Sequence, residues 1–271
     1  MTDAQRVLHW QDLTGPELAA RVDARTVAVL PLAAIEQHGA HLPLSTDLDI
    51  GLGLLAAATS ELENHGLDSP GTVVVLPPLA LGASLEHTAF CGTLSLMPEA
   101  AIGVIEALGE AVSRAGIRRL VLFNSHGGNK AVIDLAALKL RAAHGMLVVK
   151  ANYFRFTPPA EALPAEELRH GLHGGALETA MMLHLAPGKV RREALTNAVS
   201  EAQHQADAGA RLGPEGDAGY AWMAQDLHPS GVTGDATLAD AATGSRLVAH
   251  FAARLAEVIE AAAAFDLSTL R

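Results

Sequence analysis

Glu36, His38 and Asp47 fall within twelve residues of one another in the stretch Glu36-Gln37-His38-Gly39-Ala-His41-Leu-Pro43-Leu-Ser-Thr-Asp47. Imidazole nitrogen and carboxylate oxygen are donors that zinc takes, and manganese accepts the same mixture. Two further donors lie far along the chain: His126, in Asn124-Ser125-His126-Gly127-Gly128-Asn129, and Glu178, in His173-Gly174-Gly175-Ala-Leu-Glu178. Five such ligands exceed one tetrahedral centre and suit two metals that share a carboxylate. Asp47 is the natural bridge, because a carboxylate has two oxygens to offer and an imidazole in this role one nitrogen. Glu36 and His38 are two apart, so on locally extended chain they share a face and each can serve a different metal. His173 precedes the helix that carries Glu178, which leaves it free for acid–base work. Glu86 and His87 are expected to orient the site, and stand with His173 as catalytic candidates.

These groups need elements that bring them together. An apolar run over residues 26–32 reads as a buried strand ending where Glu36 and His38 begin. A second strand at 72–76 opens into the long segment with Glu86 and His87. A third at 119–123 runs directly into His126, and a fourth is expected at 146–149. Helices are predicted between them: from a Thr14 cap to about residue 22, over 48–62 with Asp47 or Ser45 as cap and His65-Gly66 as stop, from Pro98 to about residue 115, and over 130–143. Later helices follow His173 and span 238–264, whereas 157–168, 195–222 and 226–234 read as loops. Repeated strand, loop and helix predict an α/β three-layer sandwich with a mostly parallel sheet, whose ligands gather beyond the carboxyl ends of the strands. No internal repeat or linker divides residues 1–271, which read as a single domain.

The chain has 271 residues, 49% of them hydrophobic and only 4% aromatic, so its core is aliphatic. A net charge of −11 without a basic patch speaks against a nucleic-acid partner. Apolar runs are broken by charge before they reach spanning length, so no membrane partner is expected. The start of the chain lacks a signal-peptide core, which reads as cytoplasmic. The one cysteine, Cys91, excludes an internal disulfide and a cysteine-cluster metal site, and is expected to be a small buried residue. The Gly127-Gly128 turn lacks the spacing and Lys-Ser/Thr pair of a phosphate loop. Ser84 and Ser125 lack a nucleophile elbow.

Four motifs carry a resemblance to a known family. Glu36-Gln-His38-Gly-x-His41-Leu-Pro43 with Thr46-Asp47 resembles the signature of the creatininase family of amidohydrolases. So do Gly82-x-Ser84-x-Glu86-His87-x-x-Phe90-x-Gly92-Thr93, Asn124-x-His126-Gly-Gly-Asn129 and His173-Gly-x-x-x-Glu178-Thr179. The resemblance implies a binuclear site of zinc or manganese, with iron as a further candidate. Glu36, His38, Asp47, His126 and Glu178 then hold metal, and His173 is the catalytic histidine. It also implies a homo-oligomer, commonly a hexamer built as a trimer of dimers. Most members hydrolyse a C–N amide bond: the creatinine ring, a formamide on a nucleotide intermediate, or a peptide bond, as in mycofactocin-type peptidases.

The reaction expected is attack of a metal-bridging hydroxide on the amide carbonyl of a small-molecule substrate, creatinine or a relative. Deformylase or peptidase activity is the alternative, and an inactive metal-binding structural or regulatory protein a further one. The chain departs from the creatinine-hydrolysing pattern at Gly127 and Gly128, where those members carry an aromatic residue and a metal-binding glutamate. Creatinine is thereby weakened as substrate, and Glu178 is left to supply the missing ligand.

Overall fold

The computed structural model describes residues 5–64, 71–215 and 218–270. Five strands form its central sheet: β1 (Val7–His9), β2 (Val27–Leu32), β3 (Val73–Val75), β4 (Arg119–Asn124) and β5 (Leu147–Asn152). Their order is β1-β3-β2-β4-β5, and every pairing is parallel. The helices are α1 (Gly15–Arg21), α2 (Thr46–Asn64), α3 (Pro98–Arg114), α4 (Lys130–His144), α5 (Ala165–His170), α6 (Ala176–Leu185), α7 (Glu201–Asp207), α8 (Ala224–Leu227) and α9 (Ala241–Ala264).

The alternation of the central strands creates two cores. Val27, Val29, Val121 and Phe123 pack on one face with Leu54 of α2, Met181 of α6 and Leu255 of α9. Ala28, Leu30, Leu120 and Leu122 pack on the other with Ile105 of α3 and Leu140 of α4. The result is the three-layer α/β/α arrangement expected. All residues of β2, β3 and β4 are buried, as strands covered on both faces require.

Beyond β2 the chain turns to the face of α2; beyond the adjacent β4 it turns to the face of α4. Neighbouring strands whose connections part in this way leave a crevice at their carboxyl ends. Pro31 sits inside central β2 without loss of a ladder bond. Val27 N–H, Val29 C=O and Pro31 C=O all face the β3 side, and β3 has ended at Val75 before the level of Pro31. The absent proline N–H therefore lies where there is no strand residue to receive it.

Several elements differ from the sequence expectation. Strand β1 is additional; three residues are too few to signal themselves by alternation. Helix α2 begins at Thr46, so Asp47 lies inside its first turn and is not its cap, while Ser45 Oγ donates to Asp49 at 2.8 Å. The stop expected at His65-Gly66 lies outside the described residues. Segment 157–168 was expected as loop, yet α5 starts after Pro164, whose fixed φ suits the entry to a helix. Within 195–222, Ser200 accepts from Gln203 N and starts α7. Asn197–Ala198 and Gly234–Asp235 pair as the antiparallel strands β6 and β7. Helix α9 starts at 241, not 238, because Asp240 accepts from Thr243 N at 2.8 Å and residues 236–238 form a 3-10 turn. Cys91, expected buried, is exposed on the turn before Gly92, a glycine at φ 93°. Among the described residues, no helix is long and apolar enough to cross a membrane.

Candidate metal centre

All eight residues singled out as ligands or catalytic groups meet at the β2–β4 crevice. Glu36 and His38 come from the loop after β2, Asp47 from the first turn of α2, and Glu86 and His87 from the segment after β3. His126 leaves β4, while His173 and Glu178 arrive from the start of α6. The arrangement has two sides. On one, His38 Nε2 lies 3.5 Å from Asp47 Oδ1 and 3.9 Å from Glu178 Oε2. On the other, His126 Nδ1 lies 3.3 Å from both Asp47 Oδ2 and Glu36 Oε1. Asp47 thus turns one oxygen to each side.

His173 stacks between His38 and His87, with ring centroids 4.1 Å from each. Its Nδ1 is 3.7 Å from Glu36 Oε1. His87 Nε2 lies 3.4 Å from the same oxygen. Glu86 is more remote, with Oε1 3.7 Å from His126 Nε2 and behind the nitrogen that faces the carboxylates. Ser84 Oγ also approaches His126 Nε2, at 3.2 Å.

Backbone carbonyls decide which imidazole nitrogens carry protons, since a carbonyl can only accept. His38 Nδ1 donates to Glu36 O at 3.1 Å, His126 Nε2 to Ala83 O at 3.0 Å, and His173 Nε2 to Gln37 O at 2.7 Å. Each of these rings turns its other nitrogen towards the carboxylates. Such outer bonds fix the tautomer and aim of a metal-binding imidazole.

Both oxygens of Glu36, His38 Nε2 and Asp47 Oδ2 are buried without a hydrogen-bond partner. An unsatisfied buried polar group costs about 1–3 kcal/mol, and here the orphaned atoms converge. Nitrogen and oxygen donors that together lack a proton or a cation fit a divalent metal of the zinc or manganese kind. Among the described residues, three groups offer ligand atoms that all lie within 4.8 Å of one another: Glu36, His38 and His173; Glu36, Glu86 and His126; and His38, Asp47 and Glu178.

Electrostatics point the same way. Burial disfavours a charged His38, yet Asp47, Glu178 and Glu36 outweigh it and lift the ring to about 9. Burial also opposes charge on His126, which Glu36 and Asp47 hold well above the usual imidazole range. For Glu36, burial is overcome by His126, His173 and His87, and its carboxyl falls well below the ordinary value. Burial, aided by Asp47 and Glu36 against His38, carries Glu178 up to about 7. Burial lowers His87 to about 4, and burial with the neighbouring His38 and His87 keeps His173 well below its usual range. The carboxylates thus draw positive charge onto His38 and His126, where a cation would otherwise serve.

Several residues that hold this site carried no assigned role in the sequence. Asn129 Oδ1 accepts from Ala83 N, while its Nδ2 donates to Ala33 O and Asn124 Oδ1. It therefore ties together the loops after β2, β3 and β4. His41 Nε2 donates to Gly174 O at 2.9 Å and ties the first loop to the His173 segment. Buried Glu167 accepts from Ala176 N at 2.6 Å and Asp235 N at 2.8 Å, and so caps α6 from outside. Asn129 and His41 lie within the motif strings; Glu167 has no local signal.

With that geometry established, comparison with known proteins assigns the class. A family model described as Creatininase, creatinine amidohydrolase, matches residues 11–259. The chain belongs to the creatininase family. It is 34% identical over 224 residues to the mycofactocin precursor peptide peptidase of Mycobacterium tuberculosis, covering 82% of this chain and 79% of the relative. It is 33% identical over 196 residues to the creatinine amidohydrolase of Pseudomonas putida, covering 66% and 72%. A solved structure described as creatininase with Mn superposes with a TM-score of 0.73 at 25% identity, covering 93% of this chain and 97% of that one. Family and donor set together support a metal-dependent hydrolase.

Proposed function

We propose that this protein hydrolyses a C–N amide bond of a peptide or peptide-derived substrate, using two divalent cations held by Glu36, His38, Asp47, His126 and Glu178. The observation that carries the reading is the convergence of unpartnered oxygens and nitrogens from separate loops, with Asp47 facing both sides. Zinc or manganese fits the donors. Cations bound there would supply Lewis acidity, making water a stronger acid and the scissile carbonyl more electrophilic.

The protein's own groups would do the rest. Asp47 and Glu36 fix the relative positions of the two sides. His173, with Nε2 committed to Gln37 O, keeps Nδ1 for the proton of the attacking water. As the new C–O bond forms and the C–N bond breaks, that proton passes from Nδ1 to the departing nitrogen.

A peptide-like substrate is favoured by the relatives described as mycofactocin precursor peptide peptidases, at 31–34% identity. It is also favoured by Gly127, whose Cα faces open space, with nothing within 4 Å of where a Cβ would stand. An aromatic wall is absent there, which leaves room for a longer chain. The second reading, a cyclic amide such as creatinine, draws on the Pseudomonas putida relative. Assembly as a homo-oligomer and a cytoplasmic location belong to the same proposal.

The test is a panel of short peptides, creatinine and formamides offered to zinc- and manganese-loaded protein. Peptide cleavage with little turnover of creatinine is expected. Hydrolysis of creatinine alone would transfer the assignment to the cyclic amide. His173→Ala should keep both metals and lose most turnover, and an unchanged rate would remove His173 from the chemistry.

A further inference from the structure

Gln37 lies between the two imidazoles that stack at the back of the site. Its backbone carbonyl accepts from His173 Nε2. Its side chain is buried, and two backbone groups force the orientation of its amide. Gly39 N–H, which can only donate, lies 2.9 Å from the amide oxygen; Gly231 C=O, which can only accept, lies 2.7 Å from the amide nitrogen. The amide nitrogen must therefore be where it is, and its second hydrogen points to His87 Nδ1 at 2.9 Å. A nitrogen that receives a hydrogen bond has no proton of its own. The proton of His87 is then on Nε2, which faces Glu36 Oε1.

This sets His87 apart from its neighbours. Once metal displaces their inward protons, His38 and His126 would turn bare nitrogens inward, as His173 does through Nδ1, whereas His87 turns an N–H inward. Cations bound there would already polarise the substrate carbonyl, and a hydrogen-bond donor aimed at the same oxygen adds to that stabilisation as negative charge develops. His87 supplies such a donor.

We propose that Gln37 is a positioning residue that holds His87 in the Nε2–H tautomer, and that His87 Nε2–H donates to the substrate carbonyl oxygen as that oxygen becomes negative. The inference rests on the amide-hydrolase reading above. It makes His87 a donor rather than a metal ligand, and makes the glutamine of the first loop part of the catalytic apparatus.

Two measurements test it. The first is nitrogen NMR of the metal-loaded protein with isotope-labelled histidine rings, His87 being assigned by its loss in a variant. A bare Nδ1 and a protonated Nε2 are expected; a proton on Nδ1 of His87 overturns the proposal. The second compares two variants of similar length, His87→Gln, which keeps an N–H donor, and His87→Met, which has none. Both should retain the wild-type metal content and KM. His87→Met should lose about a hundredfold in kcat, the scale of one lost oxyanion donor, and His87→Gln clearly less. Equal rates in the two variants, or loss of metal from His87→Met, overturn the proposal. The ring measurement needs no substrate, so failure to find a hydrolysable amide would sink the functional reading while the tautomer is still judged.

Discussion

Asp47 Oδ2 lies 3.3 Å from Nδ1 of His126, joining the first turn of α2, on one face of the sheet, to the turn that leads from β4 to α4 on the other. The other oxygen of Asp47 faces His38. If both sides hold metal, Asp47→Asn removes the shared charge and should lower metal content below two per subunit. Turnover should fall by at least about a hundredfold, given that each metal contributes several kcal/mol. Elemental analysis and kcat check this; full stoichiometry in the variant would show that Asp47 is no bridge.

Metal uptake should release protons. In the metal-free protein His38 titrates at about 9 and His126 well above its ordinary value, so both rings are charged at pH 7. A cation must displace those protons. Affinity therefore strengthens as pH rises towards 9 and weakens as pH falls, where protons hold both rings more firmly. Calorimetry of metal binding at pH 7 in buffers of different ionisation enthalpy should report at least about two protons released, one from each imidazole, with a further fraction from Glu178, whose carboxyl is carried up to about 7. No release would contradict the electrostatic account.

Gly128 and Gly127 should respond differently to a single methyl group. A Cβ on Gly128 would stand 2.3 Å from Glu86 Oε1, 2.4 Å from Ala83 O and 2.5 Å from His126 Nε2. Gly128→Ala must displace the ring that Ala83 O aims, at a cost of about 1–3 kcal/mol in stability and with weakened metal binding. Gly127→Ala meets nothing and should leave thermal stability and metal content nearly unchanged. Thermal unfolding and metal analysis of the two variants decide the matter. An equally benign Gly128→Ala would mean that the loop relaxes.

Glu167 is predicted to act on the site from a distance. Its carboxylate fills a nest in which Cβ atoms on Gly171, Gly175 and Gly234 would come within 2.3, 2.4 and 2.7 Å of Oε1. Glu167→Ala strands the N–H groups of Ala176 and Asp235, and should cost about 3 kcal/mol or more. Because α6 delivers Glu178 and the turn before it delivers His173, activity should fall further than stability alone requires. Chemical denaturation alongside kcat, measured where the variant remains folded, separates the two effects.

Much was written in the chain itself. The apolar runs at β2, β3 and β4 define buried parallel strands, and each ends in polar residues with chemistry to offer. Glu36, His38, Asp47, His126 and Glu178, the proposed ligands, were legible from residue type taken together with their place beyond strands and within the family motifs, since type alone does not separate them from the other histidines and acids of the chain. Gly127 and Gly128 mark the departure from creatinine-hydrolysing members, because a missing side chain can be read directly.

Tertiary structure decided what depends on distance between remote segments. The face each imidazole shows the cavity follows from which carbonyl lies behind it. Those carbonyls belong to Glu36, Ala83 and Gln37, on loops set by the register of β2 against β3 and β4. Asp47 became a two-sided group because α2 begins one residue before it. Glu167 became important because three glycines from two segments close around it, and the exposure of Cys91 follows from where folding left the turn before Gly92. A residue type carries its chemistry with it, but the direction in which a proton or a lone pair points is fixed by neighbours that only folding brings near.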